Sequence, residues 1–108
     1  MLTSSNIWKK ERASDLSKVL TLIDDQKYMQ NFLRDILTEK EITEISSRLR
    51  AAQMLTNGST YALIAQETRL SSRTIARISE WLQNGCGGYA IALSLIKGFK
   101  HTSPVNAD

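Results

Sequence analysis

Cysteine, histidine and proline occur once each in this 108-residue chain, and glycine only five times. The lone thiol, Cys86, cannot close an internal disulfide, so the fold must rest on packing. One imidazole, His101, and one thiol cannot assemble a His-based triad or a metal cluster, so neither metal nor cofactor is expected. Scarce Gly and Pro argue against a loop-rich sandwich and favour helices. The chain has no run of eighteen apolar residues and no apolar segment of the export type near its start. A cytoplasmic protein that does not enter the membrane is therefore expected.

What is present suits one ordinary domain: 42% of residues are hydrophobic and 23% charged. The net charge is +3 and unevenly spread: residues 1–44 hold 7 basic and 8 acidic side chains, residues 45–108 hold 7 and 3. That C-terminal excess points toward an anionic partner such as nucleic acid, although many ordinary domains carry as much.

Periodicity divides the chain into a flexible arm over 1–13, a helical domain over 14–100 and a disordered tail over 101–108. Leu16, Val19, Leu20 and Ile23 share one helical face, with Ser14 or Asp15 as the expected N-cap. Asp24 and Asp25 open a second helix with Met29, Phe32, Leu33 and Ile36 in a stripe that Tyr28 flanks. Thr38 and Glu41 form a capping box, and the third helix buries Ile42, Ile45, Leu49, Ala52 and Leu55 until Asn57-Gly58 stops it. Two short patterns, Tyr61–Thr68 and Ser72–Leu82, follow across a three-residue gap. After the Asn84–Gly88 break, a last helix carries Tyr89, Ala92, Leu93, Ile96 and Phe99. No strand pattern survives, and the class is all-α.

Two helices joined by three residues cross steeply only where the contact positions are aliphatic or small. Counting from Tyr61, those positions hold Ile64, Ala65, Thr68, Leu70, Ile75 and Ile78, which describes a helix-turn-helix over about 61–82. Ala65 matters because the second helix passes close to its Cβ. Arg69 stands at the turn position where glycine is usual and a left-handed backbone is common. The outward side of the second helix carries Ser71, Ser72, Arg73, Thr74, Ala76 and Arg77. Arg73 has the geometry to pair with guanine, and Ala76 to touch a thymine methyl; Arg77 serves either DNA or a pocket. Ser59, Thr60 and Tyr61, at the start of the first helix, suit a phosphate. A merely structural helical hairpin is the alternative reading.

The segments ILTEKEITEISSRLRAAQML, NGSTYALIAQETRLSSRTIARI and LQNGCGGY, spanning residues 36–89, resemble the tryptophan repressor family, most nearly its YerC/YecD-type branch. That resemblance implies a six-helix protomer with a helix-turn-helix, interlocked with a twofold mate into an intertwined homodimer. It implies a bacterial cytoplasmic protein, nucleoid-associated when bound to DNA, that acts as a regulator and in the repressor role. In tryptophan-binding members two arginines sandwich the ligand; Arg48 and Arg77 match them, and Thr38 belongs to the same candidate effector pocket. The residue after the second arginine is Gly there and Ile78 here, which fills the space an indole needs.

The apolar stripes agree with a dimer, since a chain of this size has few layers to cover four of them. Twofold symmetry then sets two reading helices about 34 Å apart, facing a pseudo-palindromic double-stranded operator. Lys9, Lys10 and Arg12 in the arm are candidates for phosphate contacts. Blander readings stand beside these. Arg48 and Arg50 pair with acids such as Glu44 and Glu41 or are simply solvated; Trp8 and Trp81 serve packing or the dimer interface; Cys86 is incidental. Ser94-Leu-Ile-Lys97 echoes a serine-acylase motif without its partner motifs, and Gly85-Cys86-Gly87-Gly88 follows a helix, unlike a dinucleotide cradle, so no enzyme is expected. Two alternatives to a tryptophan-independent repressor remain open: a dimeric helical adaptor that binds protein, and a repressor controlled by an amino-acid-like effector near Arg48 and Arg77.

Overall fold

A computed structural model of the chain describes residues 6–97; a 3-10 turn, Asn6–Lys9, leads into six α-helices, and no strand forms among the described residues. The helices are α1 (Glu11–Leu22), α2 (Gln26–Ile36), α3 (Glu39–Thr56), α4 (Tyr61–Thr68), α5 (Ser72–Asn84) and α6 (Gly88–Ile96). No described helix is long and apolar enough to cross a membrane. Phe99, His101 and the tail 101–108 lie outside the described residues.

Local chemistry sets most boundaries. Asp25 caps α2 by accepting from the Tyr28 N–H at 3.1 Å. At α3 the capping box is complete: Glu41 N–H donates to Thr38 Oγ1 (3.1 Å) and Thr38 N–H to Glu41 Oε1 (2.8 Å). Those bonds to Thr38 hold the Glu41 carboxyl below its usual pKa. α3 ends in a Schellman closure. Ser59 N–H reaches Met54 O (2.9 Å) and Gly58 N–H reaches Leu55 O (3.0 Å), with Gly58 at φ +84 where a side chain would be strained.

Two expectations need correction. α1 begins at Glu11 with Lys10 at the cap position, and not at Ser14 or Asp15; the Ser14 N–H already donates to Lys10 O at 3.0 Å. The preceding turn, closed by Lys10 N–H on Ile7 O (3.0 Å), delivers the chain into a helix that Glu11 and Ala13 favour without a side-chain cap. α5 runs past Leu82 to Asn84, where Gly85 N–H still bonds Trp81 O at 2.9 Å.

α3 is the spine, and α2, α4, α5 and α6 all pack against it. The core consists of Ala51, Ala52 and Met54 from α3, Ile64 from α4, and Ile75 and Ile78 from α5, all buried. Two alanines in succession let α4 and α5 approach the spine closely, and each isoleucine buried there contributes about 1.5–3 kcal/mol. Thr68 is buried too, its Oγ1 donating to Ile64 O at 2.7 Å and accepting from the Leu70 N–H at 3.3 Å. All six crossing positions, Ile64, Ala65, Thr68, Leu70, Ile75 and Ile78, are therefore buried or half-buried.

Elsewhere the apolar faces are only partly covered: Leu20, Met29, Phe32, Leu33 and Leu93 are half-buried. α1, α2 and α6 contain no buried residue, and Leu22, Tyr28 and Ile91 are 79%, 69% and 65% exposed. On α3 the expected stripe is split: Ala52 is buried whereas Ile45 is 54% exposed. The radius of gyration, 15.3 Å, exceeds the roughly 13 Å of a self-contained domain of this length.

Arg69 is the only non-glycine residue with positive φ among the described residues, at φ 64 and ψ 12. Arg69→Gly is therefore expected to raise stability by about 0.5–1 kcal/mol, and Arg69→Val to lower it by about 1 kcal/mol, in denaturant unfolding.

Candidate nucleic-acid interface

The N-terminal end of α5 is built by its cap. Ser71 Oγ accepts from the Thr74 N–H and donates to Thr74 Oγ1, both at 3.1 Å, which leaves the Thr74 hydroxyl hydrogen free. The amides of Ser72 and Arg73 have no intrahelical partner, and so point an uncompensated positive end outward. Ser72, Arg73, Ala76 and Arg77 are exposed on this helix while Ile75 and Ile78 seat it on the core. Neither Arg73 nor Arg77 enters an ion pair among the described residues. The result is two free guanidiniums on one face of a firmly packed helix.

The start of α4 lies at the other end of the motif. Thr60 Oγ1 accepts from the Leu63 N–H at 3.2 Å, and Ser59 gives its own amide to the α3 closure. The hydroxyl hydrogens of Ser59 and Thr60 and the first amides of the helix are thus open to a phosphate. Tyr61 is 42% exposed beside them.

Of the candidate effector residues, only Arg48 lines a groove of the single chain. Thr38 is engaged in the capping box, and Arg77 stands on the outward face of α5. Arg48 instead lines an apolar groove of about 550 Å³ between α3, α5 and α6, with Ile45, Leu49, Trp81, Tyr89 and Ala92. Cys86 is a free, exposed thiol at its edge. Gly85 closes the groove's end: a Cβ there would stand 2.5 Å from the Trp81 carbonyl oxygen. Neither Thr38 nor Arg77 contributes to this wall. The groove was missed as a unit because its residues come from three helices; the alignment of Tyr89 and Ala92 on one α6 face was the available signal.

The blander pairings hold in part. Arg48 Nη2 lies 3.4 Å from Glu44 Oε2, as expected. Arg50 bonds Glu67 of α4 at 2.7 Å, and not Glu41, with a second bond to Gln53 Oε1 at 2.8 Å. Glu41 is already turned back to the Thr38 N–H.

Burial raises the Tyr89 pKa above its ordinary 10.0, and the Arg48 charge opposes that shift. The folded chain therefore binds the phenolic proton more tightly than the unfolded one. Its stabilising effect is complete below the ordinary value and is lost as pH rises through the folded value. Alkaline unfolding should accordingly show a decline above pH of about 10 that Tyr89→Phe reduces, read from denaturant midpoints against pH.

Comparison with known proteins agrees with this architecture. The family model described as Trp repressor protein matches residues 11–97. The uncharacterized protein YerC of Bacillus subtilis (strain 168) is 35% identical over 88 residues, spanning 82% of this chain and 84% of that protein. The crystal structure of a TrpR-like protein from Eubacterium eligens ATCC 27750 superposes with a TM-score of 0.80 at 28% identity, over 90% of this chain and all of the other. With six helices in the expected order and a family match across most of its length, the chain belongs to the Trp repressor protein family.

Proposed function

We propose that this protein is a homodimeric, sequence-specific DNA-binding transcription regulator of the repressor type, acting on a pseudo-palindromic operator without tryptophan. The observation that carries this reading is the face of α5, where Arg73 and Arg77 stand exposed and unpaired on a helix whose opposite side is buried. Ser72, Arg73, Ala76 and Arg77 read base edges in the major groove. Ser71 and Thr74 fix the helix end, and Ser59, Thr60 and Tyr61 meet the phosphate backbone. Lys9 and Lys10, at the turn that leads into α1, and Arg12, in its first turn, add phosphate contacts.

The half-covered faces of α1, α2 and α6, the 550 Å³ groove and the large radius of gyration support a second copy as the missing part of the core. A monomer exposing so much contiguous apolar surface would aggregate. The effector-free reading rests on Ile78, which has no exposed surface and leaves no space at the crossing. The helical domain is taken to begin with α1 at Glu11, ahead of the expected boundary at 14, in a cytoplasmic protein that meets the nucleoid when bound.

Light scattering should give about 24 kDa, twice 12.1 kDa, with an unfolding midpoint that rises with protein concentration. Selection of bound fragments from sheared genomic DNA should enrich a pseudo-palindrome, and Arg73→Ala should abolish that enrichment while sparing the fold; this contact is worth about 1–3 kcal/mol per half-site. Titration calorimetry should detect no saturable binding of L-tryptophan. A helical adaptor would instead enrich no DNA, and saturable micromolar tryptophan binding would contradict the effector-free reading.

A further inference from the structure

A polar recess, apart from the apolar groove, opens beside the reading helix. It is a cleft of about 470 Å³ between the first half of α3, which supplies Lys40, Thr43, Glu44 and Ser47, and the helix-turn-helix turn with Arg69, Ser71 and Thr74. Both of its cations, Lys40 and Arg69, are exposed, and neither enters an ion pair among the described residues. Its one acid, Glu44, is turned toward Arg48 at 3.4 Å. The recess is thus positive, lined by hydroxyls, and continuous with the α5 end that presents the Ser72 and Arg73 amides.

The turn adds a separate observation. Arg69 occupies φ 64, where glycine would sit without strain, and its exposed side chain packs into no core. The fold therefore carries a guanidinium here at a cost to its own stability. A phosphodiester chain fits the recess, because isolated lysine and arginine charges beside hydroxyls suit singly charged, regularly spaced oxygens better than a buried carboxylate.

We propose that Lys40 and Arg69 grip the DNA phosphate backbone on the two sides of this cleft, extending the DNA-contact surface from α5 onto the start of α3. The proposal rests on the DNA-binding reading of α5. These contacts set register and supply affinity; they carry no sequence preference. In a twofold complex each occurs twice, so removing one type removes two charges.

The test is the salt dependence of affinity for the selected operator and for an unrelated duplex. It compares the wild-type chain, Lys40→Gln, Arg69→Gly and the control Lys97→Gln, whose lysine lies beside Thr56 and Asn57 at the far end of α3. Lys40→Gln and Arg69→Gly are each expected to weaken both DNAs by a similar factor, about tenfold, and to flatten the slope of log affinity against log salt by about two per dimer. Lys97→Gln should leave the slope unchanged. Arg69→Gly should lose DNA affinity while gaining thermal stability, a combination that a purely structural role does not produce. Wild-type slopes in both variants overturn the assignment of the cleft alone, as does a loss confined to the operator. Unchanged DNA slopes with lost binding of a polyglutamate peptide would transfer the cleft to an acidic protein partner. A wild-type chain without salt-dependent DNA affinity overturns the DNA reading together with this extension.

Discussion

Everything functional in this molecule depends on how closely α4 and α5 can approach α3. Ala51 and Ala52 present only methyl groups at the crossing, and Ile64, Ile75 and Ile78 fill the space above them until no surface is left exposed. That contact fixes the angle of α5 and therefore the direction of Arg73 and Arg77. Enlarging either alanine would push the helix pair outward and strain its surroundings. Shortening Ile78 would leave a void in the same place. The proposed reading surface is thus a consequence of an apolar crossing on its reverse side.

The same arrangement divides the chain into a finished part and an unfinished one. The α3–α4–α5 unit is closed by its own side chains, by the Thr68 hydroxyl and by the Arg50–Glu67 pair at 2.7 Å. That pair is half exposed and adds at most about 1 kcal/mol, so packing dominates. Around this unit, α1, α2 and α6 bury no residue fully and leave apolar side chains such as Leu22, Ile36 and Ile91 exposed in the single chain. The rigid unit is what the proposal sets against DNA, and the half-covered helices are what it gives to a second copy. Electrostatics follows the same division, with Arg69, Arg73 and Arg77 lying on the finished unit.

Much of this could be read from residue order. The crossing set from Ile64 to Ile78, the Thr38–Glu41 box and the left-handed turn at Arg69 are local patterns with short-range causes, and all three stand in the structure. The start of α1 was misplaced because a 3-10 turn, not a side-chain cap, delivers the chain into that helix. The face of α3 was harder to read. Its bulky stripe through Ile45 drew attention away from Ala51 and Met54, although small residues permit the closest helix approach. Of the groove only the α6 face with Tyr89 and Ala92 was legible, and of the cleft nothing: each joins helices distant in sequence, and no spacing rule reports that Lys40 stands beside the turn at Arg69. The expected grouping of Thr38, Arg48 and Arg77 depended on relative helix positions in the same way, and of the three only Arg48 lines the groove.

The central claim is that α5 is held in place by the chain's own Ile78, with no help from a ligand. Amide hydrogen exchange of the protein, with and without L-tryptophan, tests it most directly. The account predicts that the Ile75 and Ile78 amides exchange as slowly as those of Ala51 and Ala52, through global unfolding, and that tryptophan changes neither. Faster exchange of α5 through local opening, slowed on adding tryptophan, would contradict it.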